Sequence, residues 1–175
     1  MGASYELPSV DVATAGTVGP PGKRVFYLQF RQDDAVVSLR LEKQQVAALA
    51  DHLAGMLDDL PQPETVPHPD ALALVEPVEA AWVVGSIGLA FDADLDRIVF
   101  LAEEVVTVDE EGEPDAAALE QRGRLTARFT RAQAAALVER GRALVAAGRP
   151  PCPLCGRPLD PDGHICPRSN GHGVH

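Results

Sequence analysis

Four metal-binding side chains lie within 15 residues near the C-terminus, and they constrain the fold there more than any other feature of the sequence. Cys152 and Cys155 frame the turn Cys-Pro-Leu-Cys-Gly, and His164 and Cys166 follow after eight intervening residues. Two cysteines at positions i and i+3 can direct both sulfurs at one ion, and positions i and i+2 of an extended segment share a face. The sequence therefore predicts one metal ion held by three sulfurs and one nitrogen.

The type of the four ligands predicts a structural zinc ion. Three thiolates and one imidazole complete a tetrahedral shell, which leaves no position open for water. We therefore expect a zinc knuckle or ribbon, and not a catalytic centre, in residues 149–175 (the tail). The ion would supply on the order of 10 kcal/mol of local folding energy to a segment that is too short for a core of its own.

Other interpretations of the same residues stay open. A Cys-x-x-Cys pair is also found in thiol redox proteins, although no βαβ pattern surrounds it here. His172 or His175 could take the place of His164 as the fourth ligand. An iron–sulfur cluster normally uses four cysteines, whereas the chain has three.

The charge of the chain is negative and unevenly distributed. The formal net charge is −11, yet the tail has Arg149, Arg157 and Arg168 against Asp160 and Asp162, so residues 1–148 (the body) carry −12. Nucleic acids gain much of their affinity for a protein from Lys and Arg contacts. The acidic body therefore disfavours nucleic acid as a general partner, and a small cationic surface beside the metal is the remaining place for one.

Composition and the N-terminus predict a globular cytoplasmic protein. The apolar fraction of 46% is ordinary for a packed domain. No apolar run approaches the roughly 20 residues that span a bilayer, so we expect no membrane partner. The first residues are neither basic nor apolar enough for a secretory signal, and an odd, clustered set of three cysteines indicates a metal site in a reducing compartment.

Hydrophobic periodicity predicts an α+β fold. Apolar residues that alternate or run together predict strands, at residues 12–18, 24–30, 36–41, 82–91, 97–108 and 125–129. Apolar residues three and four apart predict two helices, at residues 43–60 and 130–147, and Thr130 with Gln133 forms a capping box at the second. Residues 61–79 are a proline-rich linker, and residues 109–122 are an acidic loop.

The two parts of the body resemble each other in sequence. Residues 41–49 align with residues 129–137 at an offset of 88, and residues 24–28 align with residues 97–101 at an offset of 73. We therefore predict duplicated βββα halves, at about residues 11–60 and 80–148. The predicted architecture is an antiparallel sheet with both helices on one face, related by a pseudo-twofold axis.

The second face of such a sheet would expose apolar side chains. The predicted strands place Val25, Tyr27, Val36 and either Val99 or Ile98 there. Large apolar patches are unusual on monomers, so the tail, the linker or another chain should cover them. We expect this face to be an interface, either of a homodimer or with a protein partner.

Three segments together resemble an uncharacterised family of actinobacterial proteins, a domain of unknown function. They are residues 15–29, 41–50 and 152–171. The tail is the most specific part, with the pattern Cys-Pro-Leu-Cys-Gly-x-Pro-Leu-Asp-Pro-x-Gly-His-x-Cys-Pro-Arg-x-Asn-Gly. The resemblance implies an actinobacterial, cytoplasmic protein, and it transfers no catalytic residues.

The leading functional hypothesis is a non-enzymatic binding or regulatory protein with a structural zinc module. No Walker loop, nucleophile elbow or zincin motif occurs in the sequence. One alternative is an enzyme of unknown reaction, with a site on the sheet formed by Tyr27, Gln29, Arg40 and Arg128. Another is specific nucleic-acid binding through the tail.

Overall fold

The residues of the body that the structure describes form seven strands and three helices, and the described residues of the tail form extended and turn segments. The computed structural model describes residues 2–108, 112–148, 151–157, 159 and 164–168. The elements in chain order are β1 (Tyr5–Leu7), β2 (Val12–Val18), β3 (Val25–Gln32), β4 (Ala35–Leu41), α1 (Lys43–Asp58), a 3₁₀ turn (Pro69–Leu72), β5 (Ala80–Asp92), β6 (Arg97–Glu104), α2 (Ala116–Gln121), β7 (Arg124–Phe129) and α3 (Arg131–Ala146). Among the helices of these residues, none is both long and apolar enough to cross a bilayer.

The elements agree with the sequence prediction, with three main differences. Strand β1 was missed, β6 ends at Glu104 instead of residue 108, and the predicted acidic loop contains helix α2. At this end of the strand the Glu104 N–H donates to the Gly123 carbonyl (2.8 Å) and the Val105 N–H donates to the Val83 carbonyl (2.8 Å). The chain therefore leaves the ladder before the acidic loop begins.

The sheet is mixed, so the predicted antiparallel sheet is wrong. Its order is β1-β7-β6-β5-β4-β3-β2, and both β4–β5 and β1–β7 are parallel pairs. Parallel neighbours need a crossover of a dozen residues or more. Helix α1 and the linker supply it between β4 and β5, because together they return the chain to the end of the sheet at which β4 began.

The two ends of the sheet meet in one continuous segment. The Val10 N–H donates to the carbonyl of Arg128 at the end of β7 (3.0 Å), and the Asp11 N–H donates to the carbonyl of Arg31 in β3 (2.8 Å). Strands β1 and β2, the outermost in the order, are thus joined directly by the short connection of residues 8–11. A flat sheet would hold them about 29 Å apart at the usual strand spacing. The sheet is therefore strongly curved and closes on itself.

Strands β2 to β4 lead into α1, and strands β5 to β7 lead into α3, with α2 between β6 and β7. Helices α1 and α3 pack against each other, α3 packs on β2, and α1 contacts β5, so each helix touches the first strand of the other half. The Gln45 side chain of α1 donates to the Val84 carbonyl (3.1 Å), and the Gln133 side chain of α3 donates to the Val10 carbonyl (2.8 Å). These glutamines stand at the offset of 88 that the sequence alignment gives.

The strand alignment needs a correction of one residue. Phe26 of β3 pairs with Leu41, whereas Ile98 of β6 pairs with Phe129. Since Leu41 and Phe129 correspond at the offset of 88, Ile98 corresponds to Phe26 at an offset of 72, and the predicted 73 is wrong. Side chains of a strand alternate between its two faces. An alignment that is wrong by one residue therefore exchanges the inner and outer faces of β6.

The core lies inside the curved sheet, against α1 and α3. The Phe30 ring meets Phe100 at a centroid distance of 5.0 Å and Phe129 at 6.2 Å. These rings come from β3, β6 and β7, so both halves contribute to one core. The helices approach closely at Gly141, where an added Cβ would lie 3.4 Å from the Ala50 Cβ.

The proline-rich linker covers part of the outer face of the sheet. The Thr14 hydroxyl donates to the Leu72 carbonyl (2.6 Å). The buried Gln29 amide donates to the Val75 carbonyl (3.1 Å) and accepts from the Val75 N–H (2.8 Å). The linker is thus one of the three covers that the sequence suggested, although it leaves Tyr27 half-buried.

The residues predicted for the outer face lie there, and of the two alternatives in β6 it is Val99, not Ile98, that does so. Val36 is exposed there, and Val25, Tyr27 and Val99 are half-buried. Ile98 is fully buried, because it lies on the core side of β6 together with the other residues of even number. The exposed apolar area is accordingly smaller than the sequence indicated, and an interface on this face stays a prediction.

Replacement of Gly141 by leucine should destabilise the body. The side chain would push α3 away from Ala50 and Val46, at a cost of about 1–3 kcal/mol for overpacking. Gly55→Leu is the matched control, because an added Cβ meets nothing within 4 Å at that exposed position of α1. We expect Gly55→Leu to stabilise the protein by about 0.5–1 kcal/mol through helix propensity. Urea unfolding measures both changes, and equal effects would contradict the close helix packing.

An ion pair that fixes α3 predicts a pH effect. The Arg131 guanidinium binds both carboxylate oxygens of Asp96 (2.9 and 3.0 Å) and also donates to the Pro61 carbonyl. Hydrogen bonding to Arg131 holds the pKa of Asp96 below its ordinary value. The stabilisation by this pair is therefore present above about pH 4 and is lost as the pH falls through the lowered pKa.

The variant Asp96→Asn tests this effect, since asparagine tolerates the left-handed backbone at this position (φ 51°). The difference in free energy of unfolding between wild type and variant should be small at pH 7, because the Asp96 carboxylate is exposed to solvent, and should vanish toward pH 2. A difference that does not change with pH would show that the ionised carboxylate is not what stabilises this contact.

Candidate metal centre

A tight turn brings the first two cysteines together. The Gly156 N–H donates to the Cys152 carbonyl (2.8 Å), and the Cys152 N–H donates to the Arg157 carbonyl (2.7 Å). Gly156 has a φ of +72°, a left-handed backbone that glycine adopts without a steric penalty. The sequence Cys-Pro-Leu-Cys-Gly therefore folds so that Cys152 and Cys155 lie on one side of the turn.

The two later residues bring their ligand atoms to the same point. The Cys152 and Cys166 sulfurs are 3.9 Å apart, and the Cys155 sulfur lies 3.3 Å from Nε2 of His164. All four ligand atoms lie within 4.8 Å of one another. A tetrahedron with metal–sulfur bonds of about 2.3 Å has edges of about 3.8 Å. The four residues are thus placed as a metal ion would require, and they could hold one.

Burial differs among the four ligands. Cys152 and Cys166 are buried, whereas Cys155 and His164 are half-buried. Nε2 of His164 faces the Cys155 sulfur. Nδ1 of the same ring is buried and has no hydrogen-bond partner among the described residues. Metal-binding histidines normally donate through the other nitrogen to a carbonyl or carboxylate. This second contact is the one part of a complete site that the described residues do not supply.

The Cys155 thiol favours its protonated form when no cation is near. A hydrogen bond with the Arg157 backbone lowers the pKa of Cys155, but burial and hydrogen bonding with the Cys166 and Cys152 thiols outweigh it. The pKa of Cys155 therefore lies above its ordinary value. A cation at the centre of the cluster would reverse this effect, because it stabilises the thiolates that bind it.

The alternative assignments fare differently. All three cysteines are free thiols, and His164 has its Nε2 beside the Cys155 sulfur, which is the position expected of the fourth ligand. His172 and His175 lie outside the described residues. A redox pair would need two thiols, whereas here three thiols and an imidazole converge.

The sheet residues considered for an enzyme site do not converge in this way. Gln29 is buried and bound to the linker through Val75, with a further contact to Ser38. Tyr27 and Arg40 are neighbours in the β3–β4 register. Arg128 lies in β7 opposite Val99, where its Nε is buried without a partner among the described residues.

A groove between α1 and β5 was missed by sequence reasoning. It has a volume of about 420 Å³ and is mostly apolar; its lining consists of Gln45, Ala48, Leu49, His52, Met56, Gly85, Ile87 and Leu89. At the corresponding place in the other half, α3 packs directly on β2, and Nε of Arg140 donates to the Ala15 carbonyl (2.7 Å). Hydrophobic periodicity gives no signal for this difference, because it depends on how far each helix stands from its strand.

Comparison with known proteins gives a family for the chain. The family model described as "Protein of unknown function (DUF3090)" matches residues 5–166. The chain belongs to this family. The match ends at Cys166, so it includes all four residues of the cluster. No curated protein and no solved structure matches the chain.

Metal binding at this cluster should release protons. Ordinary thiols are protonated at pH 7, so uptake of one Zn²⁺ by metal-free protein should free about three protons, whereas Cys155→Ser, which should bind little zinc, should free far fewer. A pH indicator in weakly buffered solution measures the release. Uptake of zinc without acidification would mean that the thiols are not the ligands.

Proposed function

We propose that DUF3090 proteins of this type are non-enzymatic binding or regulatory proteins whose tail is ordered by one structural zinc ion. The observation that carries the proposal is the convergence of Cys152, Cys155, His164 and Cys166 within 4.8 Å. Four protein ligands of these types fill a tetrahedral shell. A shell of this kind has no place for a substrate or an activated water.

Zinc is favoured among metals by the chemistry of the ligands. Thiolates are soft ligands that select zinc, copper(I) and iron–sulfur clusters, and an imidazole suits zinc. Calcium and magnesium prefer oxygen ligands, which are absent from the four-residue cluster. Three cysteines and one histidine form one of the ligand sets found in structural zinc sites.

The choice of a binding function rests on what surrounds the metal. The body carries a formal charge of −12, and the four ligands occupy the tail alone. A small metal-ordered module at the end of an acidic domain is suited to the recognition of a protein partner or a second copy of the chain. Three free thiols are consistent with a reducing compartment such as the cytoplasm. The actinobacterial origin and the duplication of the two halves stay predictions.

The metal is tested by its stoichiometry. Protein purified without chelators should carry about one zinc per chain by elemental analysis, and Cys155→Ser should lose most of it, since one of four ligands is gone. Leu154→Ser is the matched control, because it changes the same turn without removing a ligand. A wild-type zinc content near zero would refute the metal assignment.

The binding function is tested separately, by affinity capture from native lysate with wild type and Cys155→Ser as baits. A partner that depends on the tail should be retained by wild type and lost by the variant. Equal recovery with both baits would place the binding surface on the body instead of the tail.

A further inference from the structure

The cluster is flanked by the most exposed apolar side chain of the described chain. Ile165 lies between two ligands and is 92% exposed, and Leu154 lies in the cysteine turn and is 55% exposed. Arg157 and Arg168 are exposed beside them, and the Arg168 guanidinium donates to the Leu154 carbonyl (3.2 Å). We call these four residues the tail surface.

The geometry of the ligands is what turns these side chains outward. In an extended segment successive side chains point to opposite faces, so His164 and Cys166 can face the metal position only if Ile165 faces away from it. Leu154 is likewise displaced from the centre, because Cys152 and Cys155 on either side point inward. The coordination fixes the direction of both side chains, but it does not require either of them to be apolar.

The two arginines of the tail surface, like several in the body, are not paired with a carboxylate among the described residues, whereas four others are. Arg122, Arg124, Arg131 and Arg142 each form an ion pair with a carboxylate. Neither Arg157 nor Arg168 forms one with any residue that the structure describes. Two cationic groups thus stand beside two apolar side chains, on a chain whose net charge is −11.

We propose that the tail surface docks an acidic segment of a partner protein that carries aliphatic side chains. The inference deepens the proposed binding function and rests on it. Aliphatic side chains of the segment would cover Ile165 and Leu154, and its carboxylates would pair with Arg157 and Arg168. Charge complementarity selects the tail surface for such a partner, because the body of −12 repels acidic chains elsewhere.

The same residues favour a protein over a nucleic acid as the partner. Residues 149–175 contain no phenylalanine, tyrosine or tryptophan on which a base could stack. The tail has a net charge of +1, which is small for a surface that neutralises phosphates. Aliphatic side chains such as Ile165 instead gain their contact energy from apolar groups of a peptide.

A designed peptide tests the docking on the full-length, zinc-analysed protein. The probe is a fluorescein-labelled peptide with two leucines set among four glutamates, and binding is followed by fluorescence anisotropy. Two control peptides replace the glutamates by lysines or the leucines by serines. We expect the first peptide alone to bind, with an affinity that falls as salt is raised because ion pairs contribute.

Variants of the chain locate the binding. Ile165→Ser should weaken it by about tenfold or more, since one buried aliphatic side chain is lost. The double variant Arg157→Glu, Arg168→Glu should abolish it by charge reversal. Leu95→Ser is the matched control, because Leu95 is 58% exposed in the turn between β5 and β6, and it should leave the affinity unchanged.

The outcomes separate this inference from the metal assignment. Zinc-loaded protein that ignores the glutamate–leucine peptide, or that binds the lysine peptide equally well, would overturn the docking surface and leave the zinc module standing. Tighter binding of single-stranded oligothymidylate than of the peptide would overturn it in favour of nucleic acid. If Ile165→Ser loses zinc, the double arginine variant still tests the tail surface, because it changes no side chain between two ligands.

Discussion

Two adjacent backbone amides hold the body in its closed form. The Val10 N–H reaches β7 and the Asp11 N–H reaches β3, so a single turn of the chain joins the first and last strands of the sheet. Each hydrogen bond contributes only about 1 kcal/mol net. They complete a closure that the β1–β7 and β2–β3 ladders also maintain, and the curved sheet brings Phe30 of β3 against Phe100 of β6. The shared core, and with it the packing of α1 on α3, depends on that closure.

The sequence predicts the local elements well, because each is encoded by a short-range pattern. The capping box of Thr130 and Gln133 marks the start of α3, and the structure has both of its hydrogen bonds. The pairing of strands is encoded less directly. Alternation alone does not say whether β4 meets β5 in parallel, and β1 has only three residues, too few for a periodic signal. The one-residue error in the strand alignment, an offset of 73 instead of 72, has the same origin. Val99 and Ile98 are both apolar, so the sequence does not show which of them faces the core.

The cluster was predictable because ligand type and spacing are properties of the sequence itself. Other functional features arise from distances between elements. The groove at β5 exists because α1 stands away from Ile87 and Leu89, whereas α3 lies directly on Ala15 of β2. Small residues in β2 allow the close approach, and larger ones in β5 help to prevent it. In the sequence Gln29 is only a polar residue within a strand. In the folded chain it hydrogen-bonds the backbone of the linker at Val75, a contact that the sequence does not indicate.

Body and tail are ordered by different physical means, and this difference links structure to function. The body buries apolar side chains from both halves, so its surface is free to be acidic. The tail is too short to bury such side chains, and four polar ligands occupy its interior instead. A segment with its ligands inside has only its outer face for apolar residues. Ile165 and Leu154 are therefore exposed in the tail, whereas side chains of this size are mostly buried in the body. A metal ion bound by the cluster would hold both side chains in this exposed position.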